Sequence, residues 1–179
     1  MKKHLLLLFA ACLLSLQLSA EVSLPAILAD HMVLQQKSQA AFWGWASPLE
    51  EVTVITGWNG KKYNAKADNH ANWKVTIETP AAGGPYEITV LGSNTLVLRD
   101  VLIGEVWVCS GQSNMEWTAR KGIDNATREV LEANYAGIRF FSVERRSAPE
   151  KQIDCVGEWV KCSPGNHDRL QRCGLFLWS

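Results

Sequence analysis

The residues best placed to do chemistry are Ser110-Gly111-Gln112-Ser113-Asn114-Met115-Glu116-Trp117, a polar loop that follows an apolar block ending at Cys109. A serine directly after a buried strand and before a helix presents its hydroxyl above a sheet, while neighbouring backbone N–H groups point at a developing oxyanion. That is the placement of a nucleophile in acyl transfer, with Ser113 as the attacking group. A loop serine at this point also reads as a helix cap. Asn114-Met115 follows the serine and no second glycine closes the turn, so the loop is not the Gly-x-Ser-x-Gly elbow of α/β-hydrolases. Gln112 and Asn114 are candidates for substrate contact, and as polar turn-formers they also suffice simply to shape the loop. Glu116 is a helix-start acid beside the macrodipole. No cysteine and histidine spacing looks like a zinc site, and no cofactor is expected.

The elements that must hold this loop are legible on both sides of it. Val101 to Cys109 is almost continuously apolar, as a strand buried on both faces requires. From Ile123 to Tyr135, Ile123, Ala126, Val130, Leu131 and Tyr135 recur at helical spacing. Gly137 closes this helix, and Ile138 to Val143 reads as the next strand. Strand, loop, helix and strand make a βαβ unit, the opening of a parallel sheet whose chemistry lies at the carboxyl ends of its strands.

Upstream the texture differs. From Val22 to about Asp100, short alternating runs are separated by turn residues, the pattern of an antiparallel β-sandwich. Expected strands are Met32–Gln35, Ala40–Trp45, Val52–Thr56, Trp73–Thr79, Tyr86–Leu91 and Thr95–Leu98. Ser47-Pro48, Asn59-Gly60, Asp68-Asn69 and Gly83-Gly84-Pro85 supply the turns between them. Trp43 and Trp45 share one strand face, so they either stack a sugar on an exposed surface or fill the sandwich core. The fold class expected is therefore an α+β chain in two parts, a β-sandwich over residues 21–100 and the start of an α/β domain over 101–164.

Gly111-Gln112-Ser113-Asn114-Met115 resembles the first block of the SGNH hydrolases, in the form used by sialate O-acetylesterases and related acetyl-sugar esterases. Leu28-Ala29-Asp30-His31-Met32-Val33-Leu34-Gln35-Gln36 and Phe42-Trp43-Gly44-Trp45-Ala46 resemble that family's amino-terminal β-domain, and Gly104-Glu105-Val106-Trp107 resembles its passage into the catalytic domain. The resemblance implies an SGNH-type, flavodoxin-like catalytic domain with Ser113 as nucleophile. It also implies that Ser113 contributes its own backbone N–H to the oxyanion hole and forms an acetyl-enzyme from an acetylated sugar or glycan. In the family a later glycine and asparagine complete the hole, and a histidine near the carboxyl end, usually oriented by an aspartate, is the base. None of these later blocks is expected in this sequence, and the chain as it stands is expected to be a poor catalyst. The alternative is a non-catalytic carbohydrate-binding module with a vestigial hydrolase stub.

The resemblance stops after Pro164. Residues 165–179 have no clear period, and a synonymous codon choice for them, read one base later, yields ETMTDFSAVGYFFG, a string like the one the family places there. A one-base frameshift just after Pro164 is the expectation, which leaves His167 and Asp168 without a role.

Lysine plus arginine (18) equals aspartate plus glutamate (18), so nothing favours nucleic acid as a partner. Lys2, Lys3 and His4, the apolar Leu5–Leu14 block and Ser19-Ala20 before Glu21 form an expected signal peptide over residues 1–20, too short for a membrane span. Export to the periplasm or exterior follows, and such compartments permit disulfides. Cys155 and Cys162 are either a local bridge or two buried thiols.

Overall fold

A computed structural model describes residues 20–111 and 124–164. Among these residues nine strands and one helix follow in order: β1 (Val33–Gln35), β2 (Gln39–Trp45), β3 (Glu51–Thr56), β4 (Lys62–Lys66), β5 (Asn72–Glu78), β6 (Gly83–Leu91), β7 (Thr95–Gly104), α1 (Ala126–Glu132), β8 (Tyr135–Val143) and β9 (Gly157–Cys162). The described chain is mostly β. A five-stranded mixed sheet runs β1-β7-β6-β3-β4, a two-stranded sheet joins β2 to β5, and a second two-stranded sheet joins β8 to β9.

Alternation explains the first two sheets. Val52, Val54 and Thr56 of β3 and Ile88 and Val90 of β6 are buried, as are Phe42 of β2 and Trp73 and Ile77 of β5, so both sheets share one core. Burying each such aliphatic side chain contributes about 1.5–3 kcal/mol relative to leaving it in water. Trp43 and Trp45 occupy the opposite face of β2 from Phe42 and are only half-buried, so neither is a core residue of the kind Phe42 is.

Gly44 shows why small size matters on β2. A Cβ there would lie 2.1 Å from the Ser23 carbonyl oxygen and 3.2 Å from the Trp73 indole. Ser23 bridges Trp45 through reciprocal backbone bonds of 2.9 and 3.0 Å, while Trp73 lies opposite Gly44 on β5. Gly44→Ala is expected to cost about 1–3 kcal/mol by forcing backbone aside. An unchanged urea midpoint would show that the Ser23 bridge contributes nothing.

Four sequence expectations change. The apolar block 101–109 is not one strand: Val101–Gly104 completes β7, whose first half is the expected Thr95–Leu98 strand, and Glu105–Gly111 forms none. The reason is position. β7 lies between β1, paired parallel at Val33↔Leu102, and β6, so Val101–Ile103 are buried on both faces inside the first sheet. The Gly83-Gly84-Pro85 turn is instead the start of β6, where register shifts mark its irregular pairing with β7. The helix is confined, among the described residues, to Ala126–Glu132, with Asn125 left-handed before it and Gly137 inside β8. Finally, β8 pairs antiparallel with β9, and no described residue of β8 pairs in parallel with β7.

The β8–β9 hairpin rests on the first sheet through Trp159. Its indole is buried in the main core, donates from Nε1 to the Ile27 carbonyl at 2.8 Å, and meets Phe141 at 5.2 Å between ring centroids. Ala133, Ile138, Phe140 and Cys162 form a smaller core beneath the hairpin. Cys155 and Cys162 are free thiols, and Gly157–Cys162 is itself β9 rather than a hairpin closed by a bridge.

Candidate active site

The approach to the serine loop is fixed by the side chains of Gln35, the last residue of β1, and of Gln36 after it. Glu105, the first residue after β7, accepts a hydrogen bond from Gln35 Nε2 at 3.0 Å and another from Gln36 Nε2 at 2.7 Å. Val106 N in turn donates to Gln35 Oε1 at 2.9 Å. Those bonds, Gln35 first, hold the Glu105 carboxyl below the usual carboxylate range, against a smaller opposing effect of burial. The chain thus leaves the sheet in a defined direction, and from Trp107 to Gly111 it is exposed, Val108 at 90%. Gln112, Ser113 and Asn114 lie outside the described residues, as does Ile123, the first residue of the expected helix. Gly111 is the last residue described before them.

Behind this approach lies a charged cluster that no sequence spacing announced. Asp100, with a left-handed backbone at φ 55°, accepts from His31 Nδ1 at 2.7 Å and pairs with Lys161 Nζ at 2.7 Å. Arg139 NH2 approaches the same carboxylate at 3.3 Å, and Arg139 is only 3% exposed. Arg139 NH1 also donates to the carbonyls of Ala136 and Ile138. Burial alone pushes the Asp100 carboxyl upward, but the Lys161 and His31 hydrogen bonds and the Arg139 charge together hold it below its ordinary value. His31 and Asp100 have the look of a base and its orienter. The carboxylate is nevertheless shared with two cations of the β8–β9 hairpin, so the arrangement is a clamp between β7 and that hairpin.

His31 is placed by backbone bonds of the same seam. Its N–H donates to the Arg99 carbonyl at 3.0 Å, and Arg99 N donates to Asp30 Oδ1 at 2.7 Å. Residues 30–31, 99–100, 139 and 161 meet only through the fold. The left-handed backbone at His31 and Asp100 is the nearest thing to a signal: both types are enriched in that conformation, but neither is confined to it, so the sequence alone does not announce it.

Among the described residues no group of three or more histidine, cysteine, aspartate or glutamate side chains could hold a metal ion, and no helix is long and apolar enough to cross a membrane. No protein-family model matches the chain. Over 166 residues, however, the chain is 37% identical to the sialate O-acetylesterase of Mus musculus, an alignment covering 83% of this chain and 30% of that protein. The sialate O-acetylesterase of Homo sapiens is 36% identical over 165 residues, covering 83% of this chain and 31% of its own length. Over most of its length, then, the chain is similar to sialate O-acetylesterases. A crystal structure of a carbohydrate acetylesterase from Xanthomonas citri superposes with a TM-score of 0.79 at 37% identity, over 84% of this chain and 35% of that one. The chain therefore spans about a third of the length of the sialate O-acetylesterases and the acetylesterase that it matches.

Proposed function

We propose that this chain derives from a serine esterase that removes O-acetyl groups from sialic acid or another acetylated sugar, with Ser113 as nucleophile. The identity to sialate O-acetylesterases across most of the chain carries this reading. Ser113 Oγ attacks the acetyl carbonyl, its proton passes to a base, and the sugar hydroxyl leaves as the C–O bond breaks. Water then hydrolyses the acetyl-enzyme and releases acetate. Gln112 and Asn114 shape the loop or touch the sugar. The leader over residues 1–20 directs the protein out of the cytoplasm.

Among the described residues, no side chain is placed to serve as the base for this chemistry. A serine hydroxyl needs a base, and each missing oxyanion donor costs about a hundredfold or more. The two histidines among the described residues do not fill the role: His31 Nδ1 is committed to Asp100, and His70 sits in the exposed turn before β5, its backbone N–H bonded to Asp68 Oδ1 at 2.8 Å. Hydrolysis of p-nitrophenyl acetate by the full chain is expected to stay within a few-fold of the Ser113→Ala variant. Substantial turnover lost in Ser113→Ala would overturn the view that the base is missing and would establish the esterase directly.

A further inference from the structure

The face of β2 and β5 turned away from the core has the makings of a second binding site. Along it, Trp43 stands opposite Lys74 and Trp45 opposite Asn72, with Ala41 opposite Thr76. Trp43, Trp45, Asn72 and Lys74, with an edge of the buried Trp73, line an open cleft of about 460 Å³, bordered on one side by the exposed Ile153 from the segment between β8 and β9. That wall is tied down, because Ala26 N donates to Asp154 Oδ1 at 2.9 Å. The volume lies within the range of about 300–1,000 Å³ typical of small-molecule sites.

The lining selects the ligand. Two indoles on alternate residues of one strand offer apolar faces, and the small Ala41 beside them leaves room for a ring to lie flat. Lys74 is the one charged residue of the lining, and it makes no ion pair among the described residues. At Trp45 the outer edge of β2 is already taken by the bridge to Ser23, while its inner edge is paired with β5, so an extended peptide cannot add a strand at that residue. A flat ring with an apolar face, a polar rim and a negative charge fits all three features. We propose that this face binds a carboxylate-bearing pyranose, stacked on Trp43 and Trp45, with its carboxylate on Lys74 and a ring hydroxyl or acylamino group on Asn72.

The test is a titration of the full chain with the methyl α-glycoside of N-acetylneuraminic acid and with its neutral methyl ester, followed by tryptophan fluorescence and calorimetry. Saturable binding is expected, tighter for the acid than for the ester. Trp45→Ala is expected to weaken both roughly tenfold or more. Lys74→Gln should lower the affinity for the acid to that for the ester. Lys74 is exposed, so this variant remains informative even where Trp45→Ala fails to fold. The absence of saturable binding, or parental affinity in both variants, would overturn the proposal. The titration does not depend on the esterase reading, because failure of acyl transfer at Ser113 leaves its outcome unchanged.

Discussion

Read onward past Pro164 in the frame that continues the family, the gene is expected to yield a longer product that hydrolyses acetylated sugars, and Ser113→Ala in that product to lower kcat/KM by about a thousandfold or more. The size of the effect follows from the chemistry. With the hydroxyl gone no acetyl-enzyme forms, and only positioning and oxyanion stabilisation of a direct attack by water remain. KM should change little, because the removed atom reacts rather than binds. An equally active Ser113→Ala product would remove the nucleophile from this loop. Sequencing across the codon for Pro164 and finding no frame that continues the family would sink the frameshift itself.

Asp100→Asn is expected to destabilise the fold by about 3 kcal/mol at neutral pH, because it leaves the buried Arg139 guanidinium without its counter-charge. Asparagine keeps the shape and removes the charge shared by His31, Arg139 and Lys161. The loss should concentrate in the β8–β9 hairpin, read as faster amide exchange there and as altered fluorescence from Trp159. The pH dependence has a definite sign. Since the folded pKa of Asp100 is lowered, its stabilisation is fully present above the unfolded value of about 3.9 and fades as pH falls through the folded value. Below that point parent and variant should converge in stability. A difference under about 0.5 kcal/mol at pH 7 would show that the cluster is a surface pairing of little consequence.

Much of the first two sheets was legible because they alternate. Phe42, Val52, Val54, Trp73, Ile77, Ile88 and Val90 announce their strands by being apolar at every second position, and all are buried. β4 was missed because Lys62-Tyr63-Asn64-Ala65-Lys66 is an edge strand whose polar residues face solvent. The run from Val101 misled for a physical reason: a strand between two neighbours in a mixed sheet is as apolar as one in a parallel sheet, and composition does not tell them apart. Gly137 marked a helix end by its type, yet it lies within β8, where pairing with β9 outweighs its local preference. Of the site, the loop around Ser113 was named from its residues, whereas the Asp100 clamp depends on side chains 69 and 39 positions from it and had no local pattern to betray it.

The pairing of β1 sets an order of events during synthesis. Among the described residues its one strand partner is β7, and Val33 meets Leu102. A chain emerging from the ribosome can zip β3 to β4 as soon as both are out, but β1 must wait while some seventy further residues are made. Until then Val33 and Leu34, buried in the finished protein, are exposed to whatever is near. Such late closure of a long loop slows folding and favours capture of the nascent segment by chaperones or by other copies. The hairpin carrying Arg139 and Lys161 arrives later still, so the clamp on Asp100 acts as the final latch of assembly rather than as its nucleus.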